Sequence, residues 1–368
     1  MNKETITFKQ AIYTTVLFIF GSSLVVGVSG IAKQDSWISL LLAMAASFPL
    51  LMMYARIMHL LPETDLYDIW TILFGKIIGK IITALFTWYA IHLSALVIRN
   101  FSEFQQIVSM PETPQLPIMA TLALLTAYLG KSSTAVLGKW SSFIFPIVIF
   151  VILITTVLSI KVMDLTNVLP ILENGWTPIF KGTFEFVTFP FAETVLFLTM
   201  ANAVKKTDSP YKIFGRSLLI GGISLAFVII RNVIVIGQPM IDSSYFPSYS
   251  TARVLSLGDF LSRIEGSITM NFLLTGILKI SVCLMAGTKG IAKLFNIEVH
   301  KNMLLPTTML ALALCAIVYN NAMEMFDFIK YFNIYAVPFQ IIIPVATWIA
   351  AEIHMKRQAP ATKMRQST

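Results

Sequence analysis

The chain alternates long apolar runs with short polar breaks. Ten runs, near residues 8–31, 36–60, 80–106, 116–130, 139–159, 176–202, 214–238, 264–288, 303–320 and 331–353, approach or exceed the ~20 residues a helix needs to cross a hydrocarbon core about 30 Å thick. The run at 116–130 is the short one. In lipid, backbone polar groups must find partners within their own segment, so each run predicts an α-helix. A β-barrel would show alternating segments of about ten residues, and none appears. The pattern therefore predicts an all-α integral membrane protein of ten transmembrane helices. Residues 1–353 form one transmembrane domain, and 354–368 a short basic tail that reads as disordered. The first run is long enough to span and lacks a small-residue cleavage site, so it predicts a helix and not a removed signal peptide.

Basic residues orient the helices. With the N-terminus placed inside, the segments on that side carry eighteen Lys and Arg, among them Lys205, Lys206, Lys212, Arg216, Lys289, Lys293 and Lys301, against seven on the other. This positive-inside bias puts both termini in the cytoplasm and agrees with an even number of spans. On the outer side, Pro247 to Gly266 is amphipathic and predicts a surface helix, while Lys161 to Lys181 reads as a Pro- and Gly-punctuated loop.

Composition adds exclusions. Hydrophobic residues make up 56% of the 368, charged residues 12%, and mean hydropathy is +0.77. A soluble domain carries about 25% charged residues, so this chain lacks the polar surface for a water-facing globule. The net charge of +8 belongs to the inner loops and indicates no nucleic-acid partner. Cys283 and Cys315 both lie in apolar runs, which gives no disulfide framework. No metal spacing, phosphate loop, dinucleotide fingerprint or nucleophile elbow appears; the chain predicts no cofactor and no enzyme.

Two runs are interrupted. The first holds Gly21-Ser-Ser-Leu-Val-Val-Gly-Val-Ser-Gly30, residues that lower helix propensity and let the backbone open or a neighbour approach. Small-residue packing between helices accounts for the same motif. The sixth holds Thr188-Phe-Pro-Phe-Ala-Glu193, where Pro190 cannot donate to the helix ladder and frees carbonyls near Phe186 and Val187. An ordinary proline kink accounts for this motif too. Position links the two. If ten spans divide five plus five, about 8–159 and 176–353, helices one and six correspond, and interrupted helices at matching positions point to a ligand site at the repeat interface. Half-helix N-termini offer N–H donors to a carboxylate and freed carbonyls attract a cation, a combination that fits a zwitterionic amino acid.

Charges within the spans sharpen this. Glu193, Arg231, Lys279 and His92 sit well inside apolar runs, where a charged group costs roughly 2.5–3.5 kcal/mol and needs a partner or a wet cavity. Glu193 reads three ways: protonated, paired with Lys279, or facing a ligand ammonium. Arg231 reads as a snorkelling side chain or a buried one, and Arg99 and Glu103 as an i,i+4 pair. On the third helix Tyr89 and Leu93 suit the wall of an apolar pocket with few polar anchors, although aromatic core packing explains Trp88, Tyr89 and His92 as well.

Taken in order along the chain, the Gly21 break, Asp35-Ser-Trp-Ile38, Phe74-Gly-Lys-Ile-Ile-Gly-Lys80, Arg99-Asn-Phe-Ser-Glu103, Phe189 to Glu193 and Arg263-Ile-Glu265 resemble the GerAB-type spore germination permeases. These are the integral-membrane B subunits of the nutrient germinant receptors of endospore-forming bacteria. The resemblance runs from Thr7 to about Arg357. It implies the LeuT-like inverted repeat of the amino acid–polyamine–organocation superfamily and a location in the spore inner membrane or a bacterial cell membrane. It also implies partner subunits of the A and C types, and a midplane site between helices one, three, six and eight. Matched positions assign Gly21, Ser22, Ser23 and Leu24 to the helix-one break, Tyr89 and Leu93 to helix three, Thr188, Phe191, Ala192 and Glu193 to helix six, and Leu278 and Lys279 to helix eight. One departure stands out: Ser22-Ser23 follows Gly21 where relatives often show Gly-x-Gly. Three functions share such a fold: a subunit that senses a small germinant such as an amino acid, an amino acid secondary transporter, and a ligand-gated ion channel component. A coupling sodium ion and a lysine such as Lys279 in its place are both compatible with the residues.

Overall fold

The structure, a computed structural model, describes residues 5–24, 26, 30–255 and 264–365, and the side chains of all of these except 329 and 359–365. Among the described residues it is all-helical, apart from one isolated bridge between Ile6 and Val204. Among the described residues, eight helices are long and apolar enough to cross a membrane, where the sequence pattern predicts ten spans. The other two predicted spans are shorter. In the first, α1 (Phe8–Phe20) is a 13-residue α-helix that tightens into a 3-10 turn at Gly21–Leu24. The α-helical ladder stops where the Gly-Ser-Ser sequence stops supporting it. The second, α4 (Gln115–Lys131), has 17 residues, bounded by Pro114 and Ser132.

The eight are α2 (Ser36–Leu60), α3 (Leu66–Val108), α5 (Thr134–Ser159), α6 (Trp176–Phe186) with its continuation to Ala203, α7 (Pro210–Asp242), α9 (Ile264–Leu294), α10 (Leu304–Val318) together with the 3-10 turn His300–Met303 that leads into it, and a last helix built from α11 (Ala322–Val337) and α12 (Ile343–Arg365). Several boundaries differ from the sequence reading. The third helix begins at Leu66, capped by the Asp65 carboxylate on the Tyr67 N–H, and turns at Gly75, whose φ of 78° suits glycine alone. The 161–181 segment contains 3-10 turns at Ile160–Val162 and Leu165–Val168, is tied back where Asp35 accepts from the Leu172 N–H, and enters α6 at Trp176. The surface helix is α8 (Pro247–Leu255); the rest of its predicted length, 256–263, lies outside the described residues. The tail read as disordered continues α12 as far as Arg365.

Packing positions the site. The most extensive contact is α3 against α9, where α9 presents glycine. A Cβ on Gly276 would stand 1.9 Å from the Phe101 ring, and one on Gly290 1.9 Å from the Thr87 hydroxyl. Lipid gives apolar helices no hydrophobic reason to associate, so such close approach supplies much of the attraction. Large apolar side chains such as Leu124, Tyr128, Phe143, Phe150 and Ile317 face outward from α4, α5 and α10, as lipid-facing surfaces do. On the N-terminal side the helices are clamped together. The Ile6 N–H donates to the Ala203 carbonyl at 2.9 Å, and the Tyr67 hydroxyl to the Ala286 carbonyl at 2.7 Å. Lys289 donates to the Thr199 carbonyl at 2.6 Å and pairs with Asp65 at 3.3 Å.

Candidate functional site

Both interruptions exist within the described residues, and they face the same helix, α9. The first is the turn Gly21–Leu24, whose Gly21 carbonyl accepts from the Thr275 hydroxyl of α9 at 3.2 Å. The second follows α6: a π-turn at Val187–Phe191 with Phe189 extended (φ −140°, ψ 110°), then a 3-10 helix, Ala192–Ala203. Pro190 supplies no N–H there, so the helix resumes through Ala192, whose N–H reaches the Val187 carbonyl.

Lys279 and Glu193 join the two. The Lys279 ammonium pairs with Glu193 Oε2 at 2.5 Å, both side chains wholly buried. The Lys279 stem lies against the helix-one break: a Cβ on Gly21 would stand 2.3 Å from Lys279 Cδ. The ammonium also rests over the Phe189 ring at 4.8 Å and the Phe18 ring at 5.2 Å, one ring from each interrupted helix. Among the described residues, Glu193 Oε1 by contrast has no hydrogen-bond partner, and neither has the buried Ser22 hydroxyl. Of the three sequence readings of Glu193, the structure has the ion pair. Such a buried pair does little for net stability, because desolvation offsets its attraction, but removing one member leaves a bare charge.

A second polar cluster lies across from the pair, and sequence reasoning missed half of it. Gln340, in a π-turn of the last helix (Pro338–Ile342), donates to the Tyr89 hydroxyl at 2.8 Å and to the Thr188 carbonyl at 2.9 Å. The N–H four residues on from Thr188, that of Ala192, goes to the Val187 carbonyl instead. The Thr188 hydroxyl donates to Asn333 Oδ1 at 2.7 Å. Tyr54 donates to the backbone carbonyls of Ala192 and Gln340. Asn333 and Gln340 are spaced i,i+7 in an otherwise apolar run, hence on one helix face, and that spacing was the available signal. Gln340→Leu is expected to strand the Thr188 carbonyl and the Tyr89 hydroxyl, lowering stability by about 1–3 kcal/mol, measurable by chemical or thermal unfolding in detergent.

The other predicted residues distribute around this centre. Leu93 and Glu193 line a cavity of about 40 Å³ together with Phe189, Phe328, Phe332 and Met325. Ser23 and Leu24 instead line a cavity of about 600 Å³ that opens on the side away from the N-terminus, together with Glu185, Asn232 and Ser248. The Ser23 hydroxyl is turned back onto the Ile19 and Phe20 carbonyls. Phe191, Ala192 and Leu278 are buried in the helix core. The space directly between the two breaks is thus taken by the Lys279 side chain. Arg99 and Glu103 pair with each other at 2.8 Å. His92 stacks on Trp88, with ring centroids 5.5 Å apart, at the edge of an aromatic cluster with Phe328 and Tyr335. Arg231 does not snorkel: it is 2% exposed and donates to Thr155 and Asn232.

This arrangement has known counterparts. Residues 5–325 match the family described as spore germination protein, and the chain belongs to that family. Spore germination protein KB of Bacillus subtilis (strain 168) is 25% identical over 97% of both chains. The putative spore germination protein YfkT of the same organism is 23% identical over 86% of this chain and 87% of its own. Among solved structures, Mhp1, a nucleobase-cation-symport-1 family transporter in a closed conformation with bromovinylhydantoin bound, superposes with a TM-score of 0.67. It shares 9% identity and covers 91% of this chain and 76% of its own. MhsT in complex with L-phenylalanine gives a TM-score of 0.63 at 10% identity, over 95% and 99%. The fold is that of the LeuT-like transporters, and the chain is a GerAB-type spore germination permease of the membrane.

Proposed function

We propose, from membership in the spore germination protein family, that this chain is the membrane subunit of a spore nutrient germinant receptor. It binds a small germinant, an amino acid or similar nutrient, between the two helix breaks. In this reading ten spans form a five-plus-five inverted repeat, about 8–159 and 176–353. Both termini are cytoplasmic and receptor subunits of the A and C types are the protein partners. The observation that carries the site is the Lys279–Glu193 pair, buried where the Gly21 turn and the Phe189 break meet.

The germinant enters by the 600 Å³ cavity, passes Ser23 and Leu24, and settles only if Lys279 moves aside. The clamped N-terminal side supports an outward-open state. Binding then biases an equilibrium between conformations, by no more than the germinant's difference in affinity for the two. The likeness to Mhp1 favours a second reading, a secondary transporter carrying its substrate through the same site.

Reconstitution of this chain in proteoliposomes separates them. The receptor reading expects saturable binding without substrate accumulation and without ligand-evoked current; accumulation supports the transporter, and current the channel. Ser23→Phe, which puts a ring into the large cavity, is expected to abolish binding while the unfolding midpoint stays within about 2 °C, a change below ~1 kcal/mol. Unaltered binding in that variant argues against this route.

A further inference from the structure

Arg231 carries a charge that no part of the described structure balances. It stands in the interior of α7, 2% exposed, and among the described residues no carboxylate lies within ion-pair distance of it. Three of its five N–H donors find neutral oxygens. Nη1 donates to the Thr155 hydroxyl at 2.8 Å, and Nη2 and Nε to Asn232 Oδ1 at 2.9 and 3.3 Å. Each acceptor is itself engaged, since Thr155 donates to the Val151 carbonyl and Asn232 also accepts from Thr251. Two donors on a full positive charge are left over at membrane depth, where neutralisation is worth kilocalories.

Beside the guanidinium lies a cavity of about 20 Å³, walled by Leu24, Val151, Ile152, Thr155, Val228, Arg231, Ser248, Ile268 and Asn271. That is room for one small occupant. Asn271 of α9 borders it with a carboxamide whose Oδ1 has no partner among the described residues and whose Nδ2 donates to the Val148 carbonyl at 3.1 Å. A half-turn of the carboxamide would offer Nδ2 to an anion in the cavity, but it gives up the Val148 hydrogen bond and sets Oδ1 against that carbonyl, a cost that the anion's contacts must exceed.

We propose that this cavity binds a small monovalent anion of chloride size against Arg231, bridging α5, α7 and α9. The site is separate from the Lys279–Glu193 centre and does not depend on what the chain senses. It underlies the wall of the large cavity, because Ser248 borders both and donates to the Leu24 carbonyl at 2.5 Å. The anion therefore stiffens the α8 end of the helix-one break.

The test is thermal unfolding of the detergent-purified full chain in sodium chloride, sodium bromide and sodium gluconate at equal ionic strength, gluconate being too large to enter. Chloride and bromide are expected to raise the midpoint by about 2–4 °C over gluconate, and Arg231→Gln to remove the difference. Asn271→Asp supplies a tethered carboxylate in the anion's place. It should fold whether or not Arg231→Gln does, unfold at or above the wild-type chloride midpoint, and show the same midpoint in all three salts. Equal wild-type midpoints in the three salts would mean that the cavity holds only water and would overturn the proposal. So would a chloride effect that persists in Asn271→Asp.

Discussion

Glu193→Gln is expected to destabilise the protein by about 3–5 kcal/mol and to abolish ligand response, because it strands the Lys279 ammonium with no counter-charge in a wholly buried site. The ammonium would keep a neutral amide oxygen and the faces of Phe18 and Phe189, and cation–π contacts are worth about 0.5–1 kcal/mol at exposed sites, rising to ~2 when desolvated. Lys279→Met should be costly for the mirror reason. The double variant Glu193→Gln/Lys279→Met is expected to recover most of the lost stability, to within about 1–2 kcal/mol of wild type, since an apolar replacement of a buried pair is often neutral or better. Response should not recover. Unfolding measured around this cycle separates the two roles. A large positive coupling energy with no return of binding assigns the pair to recognition, whereas additive losses would mean that the two groups do not interact.

Gly21→Ala is expected to have the next largest effect. The added methyl would lie 2.3 Å from Lys279 Cδ, far inside van der Waals contact, so the lysine stem must leave its place and the bridge to Glu193 must lengthen. Overpacking of this order costs about 1–3 kcal/mol, and misplacing the ammonium should weaken ligand binding by about tenfold or more, equivalent to ~1.4 kcal/mol. The clash belongs to Lys279 alone among the nearest atoms, so shortening that side chain should relieve it. Gly21→Ala in the background Glu193→Gln/Lys279→Ala is expected to cost clearly less than in wild type, a non-additivity typical of residues in contact. A similar cost in both backgrounds would place the strain elsewhere in the turn.

How much of this was legible in the sequence depends on the kind of signal. Apolar runs and their breaks are local, so the helical membrane class and the interruptions at Gly21 and Pro190 could be read directly. Helix ends set by caps and turns were less visible: Asp65 starting α3 well before residue 80, and Gly75 bending it, fall in a stretch that reads as a loop because Lys76 and Lys80 are charged. Pairings between distant segments were legible only where charge forced them. Glu193 and Lys279 are 86 positions apart, yet two opposite charges deep in apolar runs have few alternatives. Neutral amides exert no such pressure, and Gln340 and Asn333 passed as minor polar residues of a long span although they hold Tyr89 and the Thr188 break in place. Lys289, counted among the loop charges, is instead buried on the Thr199 carbonyl. That the lysine stem would occupy the gap between the breaks could not be read at all, since it follows from the depth at which Gly21 meets α9.

With the gap occupied, a ligand that binds between the two breaks must compete with the Lys279 side chain for Glu193. Thermal stabilisation of the purified chain by a panel of amino acids, sugars and nucleosides, run in parallel on wild type and on the folded Glu193→Gln/Lys279→Met variant, addresses this directly. The account predicts at least one compound that stabilises wild type in a saturable way and leaves the variant's midpoint unmoved. A compound that stabilises both to the same extent would locate recognition away from the two breaks and contradict it.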